Sequence, residues 1–181
     1  MKKKSLHILS RELLDVSYFV DNVWEWLRTN EPSRRISAFA YSTLQQAEIE
    51  ARKDDRKVYK IGLPEEWSVA QIVVGVGRED AKNHVDNRLL REIIIRELGG
   101  KWLDKSYSER GAIGAAFLPC IAKDELDKIF SEYNEIGEKL RSISTFWKDV
   151  RVTSLREIAN NIGECFFEVP KDGYRIRIVG S

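Results

Sequence analysis

"ISAFAYSTLQQAEIEA", residues 36–51, changes its periodicity halfway. Ile36, Ala38 and Ala40 alternate as in a half-buried strand, whereas Leu44, Ala47 and Ala51 fall on one face of a helix. Ser42 and Gln45 stand three apart, the spacing of a capping box, so the helix is expected to begin at Thr43 and run to about Lys53. The cap explains the switch from strand to helix. It does not explain why the strand ends on an aromatic, Tyr41.

Working outward, "SLHILS" (5–10) reads as a first strand, and "RELLDVSYFVDNVWEWLRT" (11–29) as a helix capped by Ser10. Its apolar stripe is Leu13, Val16, Val20, Val23 and Leu27, and Pro32 closes the segment. "KVYKIGL" (57–63) alternates as a strand, and "VAQIVVGV" (69–76) is either a buried strand or a lining loop. Residues 79–98 predict a strong helix stopped by Gly99-Gly100. "GAIGAAFLPCIA" (111–122) suggests a strand or loop in close contact with another backbone. A further amphipathic helix covers "DELDKIFSEYNEIGEKLRSIS" (124–144), interrupted at Gly137. Ser154 and Glu157 predict a second capping box for a helix ending at Gly163, and "ECFFEVPKDGYRIRIV" (164–179) predicts a C-terminal β-hairpin. The expected fold is one α+β domain over 1–181, with a mixed, mostly antiparallel sheet and several amphipathic helices.

Composition narrows the function classes. The 181 residues are 43% hydrophobic and 33% charged, ordinary values for a globular protein. Lys and Arg total 30 against 29 Asp and Glu, a net charge of +1, so a chain built chiefly to coat nucleic acid or anionic lipid is not expected. On the long helix, Arg88, Arg91 and Arg96 are diluted by Glu92 and Glu97 and read as a solvated, salt-bridged face. Cys120 and Cys165 read as buried thiols in a reducing compartment, and with only His7 and His84 in the chain no metal-site spacing occurs. The longest apolar run is too short to span a bilayer, and the apolar stretch after "MKKK" is broken by polar residues. A cytoplasmic location with no membrane contact is therefore expected.

Walker A, G-x-S-x-G and H-E-x-x-H are all missing, and Gly75-Val76-Gly77 lacks the third glycine of a dinucleotide fingerprint. What remains is a dispersed constellation. His7 lies on the first strand in "LHILS", Tyr41 ends the next, and Glu164 opens the penultimate one. At these residues the chain resembles the histidine–tyrosine–glutamate class of ADP-ribosyltransferases. His7 and Ser10 match an early "H-x-x-[ST]", and "YSTLQQA" (41–47) matches an aromatic strand end followed by "T-L-x-x-A". "RKVYKIGL" (56–63) matches the following basic-aromatic strand, and Glu164 the late acidic position. The similarity covers about a third of the chain and leaves 79–150 unmatched. Glu168 lies four beyond Glu164, whereas an E-x-E pair would be two apart, so the acceptor group is not specified.

The resemblance implies NAD as substrate and no metal. It makes Glu164 the catalytic carboxylate at the nicotinamide ribose and Tyr41 a platform for nicotinamide. It gives His7 a ribose hydroxyl and Arg34 or Arg35 the pyrophosphate. A carboxylate suits cleavage of the nicotinamide–ribose bond because positive charge grows on the sugar. The acceptor would be an unknown macromolecule.

A second reading is a non-catalytic inhibitor or adaptor. The first helix carries Tyr18, Phe19, Trp24 and Trp26 besides its apolar stripe, and large aromatics are enriched at interface hot spots. Such a module would dock an unknown protein partner through that helix.

Overall fold

Among the described residues, seven strands make one sheet: β1 (Ser5–Leu9), β2 (Ser37–Tyr41), β3 (Val58–Gly62), β4 (Ser68–Ile72), β5 (Val150–Ser154), β6 (Glu164–Glu168) and β7 (Arg175–Ile178). Their spatial order is β5-β4-β6-β2-β1-β3-β7. Every ladder is antiparallel. The computed structural model describes residues 5–9, 16–53, 57–73, 80–119, 121–158, 163–169 and 175–178, with 5–9, 53 and 175–178 as backbone only. Helices α1 (Tyr18–Leu27), α2 (Leu44–Lys53), α3 (Asp86–Leu98), α4 (Lys123–Glu132) and α5 (Asn134–Ile143) complete an α+β fold, joined by short 3-10 turns.

Within this fold the chain forms two compact units. Met1–Leu13, Asn30–Ala81 and Asp149–Ser181 form a sheet unit, and Leu14–Thr29 with Lys82–Lys148 a helical unit. No shift in composition marks the exchange between them, because both alternate apolar and charged residues in the same proportions.

In the sheet unit, Ala38 and Ala40 of β2 and Cys165 and Phe167 of β6 fall on one face, with Ile61, Leu63, Val69, Leu155 and Ile158. Trp67 packs at the border of this core. Phe39 and Tyr41 alternate with those alanines, and Glu164 and Phe166 with Cys165 and Phe167, so these four lie on the opposite face. Helix α2 lies against β1, β2 and β3, with Ala47 and Ala51 buried. It starts at Leu44, one residue later than expected, directly after Thr43. The Thr43 hydroxyl accepts from the amide of Gln46 at 3.3 Å. The Gln46 side-chain oxygen accepts from the amide of Gly163 at 3.3 Å.

Three other expectations differ from the structure. The C-terminal strands do not form a hairpin: β6 pairs with β2 and β4, and β7 pairs with β3 three strands away. The turn proposed at 170–173 lies outside the described residues. Ser154 makes no side-chain cap; it ends β5, a strand the reading passed over, and Glu157 instead accepts from Thr153 Oγ1 at 3.0 Å. Residues Ala112–Phe117 form a 3-10 turn entered through Gly111 at φ 67°.

The helical unit is built around α1. Its N-cap is Ser17, while Ser10 lies outside the described residues. Val16, Val20 and Val23 are buried as the stripe predicts. Helix α3 stops at Gly99 (φ 87°), the left-handed position that glycine supplies. The helix expected over 124–144 is two helices that break at Tyr133, not at Gly137. A Cβ on Gly137 would stand 3.0 Å from the Phe130 carbonyl oxygen and 3.4 Å from the Trp26 ring, so this glycine serves close packing.

Candidate active site

Local sequence sets the strand ends at which Tyr41 and Glu164 stand. β2 ends at Tyr41 because the Ser42-Thr43 step turns the chain into α2. β6 begins at Glu164 directly after Gly163, whose backbone lies so close to β4 that an added Cβ would stand 2.3 Å from the Ile72 carbonyl oxygen. Gly163 is therefore required by a backbone approach, and the Gln46 contact fixes its amide from α2. The helix into which the 36–51 stretch turns thus holds the chain one residue ahead of Glu164.

Register then aligns the three dispersed residues. Tyr41 is the cross-strand partner of Glu164 in the β2–β6 ladder and of His7 in the β1–β2 ladder. His7, Tyr41 and Glu164 therefore occupy one row across three adjacent strands, with β2 in the middle. Directly opposed residues of an antiparallel pair project to the same face, so Tyr41 and Glu164 share a side of the sheet. Phe39 and Phe166 form the next pair on that face, with ring centroids 6.0 Å apart, and Ser37 opposite Glu168 the one after.

Arg34 joins the row from outside the sheet. It opens a 3-10 turn, Arg34–Ile36, that leads into β2. Its guanidinium reaches to 3.6 Å from Glu164 Oε1 and lies over the Phe39 ring, 4.7 Å from the centroid. Glu164 Oε2 accepts from the backbone amide of Ala81 at 3.2 Å. Both charged side chains are buried, that of Arg34 to 3% exposure and that of Glu164 to 10%. A carboxylate in that position is paired and hydrogen-bonded, as burial of a charge requires. Arg35, next on the turn, is half-buried and so more accessible than Arg34.

Of the residues singled out from sequence, His7, Tyr41 and Glu164 come together by register and Arg34 by its ion pair. Residues the reading missed are Phe39, Phe166 and Ala81. Glu168, noted from sequence only as a departure from an E-x-E pair, lies four beyond Glu164 and shares its face. Its Oε1 accepts from the amide of Ser33 at 2.8 Å. Ala81 contributes a backbone amide from 83 residues away, which leaves no trace in side-chain pattern.

The aromatic helix does not offer its rings to a partner as expected. Phe19 stacks on Phe117 at 4.5 Å, and Trp24, wholly buried, stacks on Phe146 at 3.9 Å. Trp24 Nε1 donates to Asp86 Oδ2 and Trp26 Nε1 to Asp127 Oδ1, each at 2.8 Å, and Trp26 also packs on Phe130. Only Tyr18 of the four is exposed. Four aromatics fit on one helix because α1 is buried on more than one side by its own unit.

His84 is buried in the same cluster. Its Nδ1 accepts from the amide of Asp86 at 3.2 Å, and its ring stands edge-on to Trp24. Asp86, at the start of α3, also accepts from Ser144 Oγ at 2.6 Å and from the amides of Thr145 and Phe146 at 3.1 and 3.3 Å. These groups face one another, and the cluster reads as structural. On α3, Arg88 pairs with Glu92 and Arg96 with Glu97, each at 2.9 Å, the salt-bridged face expected.

Among the described residues no group of three or more His, Cys, Asp or Glu is placed to hold a metal ion. No helix among them is long and apolar enough to cross a membrane. Comparison with family models, with curated proteins and with solved structures finds no match.

Proposed function

We propose that the sheet unit is an NAD-consuming ADP-ribosyltransferase, or an NAD glycohydrolase, acting in the cytoplasm. The observation that carries this reading is the row His7–Tyr41–Glu164, three residues scattered over 158 positions that the register sets side by side. In this reading Glu164 faces the nicotinamide ribose, Tyr41 supports the nicotinamide ring and His7 binds a ribose hydroxyl. An arginine of the Arg34–Arg35 turn serves the pyrophosphate.

The chemistry asked of the site is a single substitution at a sugar carbon. The bond between ribose and nicotinamide breaks, and nicotinamide leaves with the electron pair. The Glu164 carboxylate offsets the positive charge that grows on the sugar. An acceptor nucleophile, or water in the hydrolase case, closes the new bond and releases its proton to solvent. The acceptor is a macromolecule or water; the residues that would choose between them are not among those that carry the proposal.

The reading makes NAD stabilise the fold by mass action, by about 2.7 kcal/mol at a hundredfold excess over its dissociation constant. Calorimetric melting with and without NAD measures this, and an unmoved transition at millimolar NAD together with no nicotinamide release would reject the proposal.

A further inference from the structure

We infer that Arg34 positions Glu164 and is not the pyrophosphate ligand, which leaves that role to Arg35; this rests on the reading of Glu164 as the ribose-facing carboxylate. The argument begins with how Arg34 is held. The 3-10 turn that carries it is pinned to β6 at two points by two acids on the same strand face. Glu168 Oε1 accepts from the amide of Ser33, just ahead of the turn, at 2.8 Å. Glu164 Oε1 meets the Arg34 guanidinium at 3.6 Å, within the turn. Ser37, just beyond it, donates from Oγ to the Ser33 carbonyl at 2.6 Å and closes the loop on itself.

The guanidinium is then fixed from a third side by the Phe39 ring at 4.7 Å. A planar cation stacked on an aromatic and opposed to a carboxylate is placed as a counter-ion. With its side chain 3% exposed, it would have to abandon both contacts to meet a phosphate in solution. Glu164 is gripped from the other side by the Ala81 amide at 3.2 Å, so its two oxygens are assigned to different partners. The carboxylate is fixed in direction before substrate arrives, which is how electrostatic stabilisation of a growing positive charge works best.

The assignment separates two arginines that are neighbours in sequence. Nicotinamide release is measured for wild type, Arg34→Gln, Arg34→Lys and Arg35→Gln. Arg34→Gln is expected to lower kcat roughly 100-fold, the loss typical of one preorganised electrostatic partner, with KM for NAD held within about 2-fold. Arg34→Lys, which keeps the charge without the planar fork, recovers about 10-fold of that loss. Arg35→Gln instead raises KM about 10-fold, as loss of a phosphate contact would. A raised KM with unchanged kcat in Arg34→Gln would overturn the inference.

A second arm does not depend on turnover. Melting temperatures are compared for wild type, Arg34→Gln, Glu164→Gln and the double variant. If Arg34 is the counter-ion of Glu164, the double variant melts above Arg34→Gln, because it removes the charge left buried alone. Additive losses would overturn the pairing. A wild type that releases no nicotinamide but shows the non-additive melting pattern would reject the proposed function and keep the counter-ion assignment.

Discussion

Tyr41 and Glu164 are direct partners across the β2–β6 ladder, although 123 residues separate them in the chain. Because β1 flanks β2 on its other side, the same register brings His7 opposite Tyr41. The row depends on one-residue precision at both ladders, since a slip by one position would turn Glu164 toward Cys165's face.

Gly163 guards that register. Replacement by alanine would force a Cβ to 2.3 Å from the Ile72 carbonyl, a backbone atom with nowhere to move. Gly163→Ala should cost about 2 kcal/mol, the usual scale of overpacking. Gly62→Ala, where nothing lies within 4 Å of the added carbon, should stay within about 0.5 kcal/mol. Urea unfolding of the two variants side by side checks the contrast.

Asp86 should prove the polar keystone of the helical unit. Its wholly buried carboxylate accepts from the Trp24 indole, the Ser144 hydroxyl and the amides of Thr145 and Phe146. Asp86→Ala leaves those donors buried, and each buried donor left unmade costs about 1–3 kcal/mol, so a loss of roughly 3 kcal/mol or more is expected. Tryptophan emission during denaturation reads it directly, since Trp24 is one of the donors. A loss below about 1 kcal/mol would mean that water replaces the carboxylate.

The aromatics of α1 yield a third expectation. Trp26→Ala should destabilise by about 3–5 kcal/mol, as deletion of a core tryptophan does. Tyr18→Ala, at an exposed position, should stay within about 0.5 kcal/mol. Loss of a binding partner on Trp26→Ala would therefore report damage to the fold. Tyr18 is the residue of the four at which docking through α1 is open to test, by capture with Tyr18→Ala at unchanged melting temperature.

Acid stability should carry a small contribution from Glu97. Hydrogen bonds from Lys139, at 2.5 Å, and then from Arg96 hold its carboxyl below the usual 4.5. A depressed folded value means that the stabilisation is complete above about pH 4.5 and is lost as pH falls through the folded value. Lys139→Met should make the fall in stability below pH 4.5 shallower, and high salt should do the same because the pair is only partly buried. Denaturation midpoints between pH 3 and 6 measure it.

How much of this was legible depended on whether the determining contact was local. The strand-to-helix switch at 36–51 was readable because periodicity and capping residues lie within one turn of each other. The box expected between Ser42 and Gln45 gave the switch but not the partners: the Thr43 hydroxyl meets the amide of Gln46, and the Gln46 side chain meets Gly163, a residue 117 positions away. The hairpin reading of β6 and β7 failed because sequence adjacency favours pairing, while β6 is drawn between β2 and β4, where its alternating Cys165 and Phe167 complete a core. Register itself has no local code. His7, Tyr41 and Glu164 could be nominated from strand positions, but the Arg34 ion pair, the Ala81 amide and the Glu168 tether are all long-range and carry no spacing signature. The aromatic excess on α1 misled because a tryptophan whose indole finds a buried carboxylate is a core residue, and that carboxylate lies 62 residues on.

The central claim is that the row carries NAD chemistry, and the most direct test is nicotinamide release from NAD, with water or a protein lysate as acceptor, by wild type, Glu164→Gln and Tyr41→Ala at matched melting temperatures. The account predicts turnover by wild type, a loss of at least about 100-fold in Glu164→Gln, and a rise in KM in Tyr41→Ala. Turnover by Glu164→Gln at the wild-type rate, or none by the wild type with either acceptor, would contradict it.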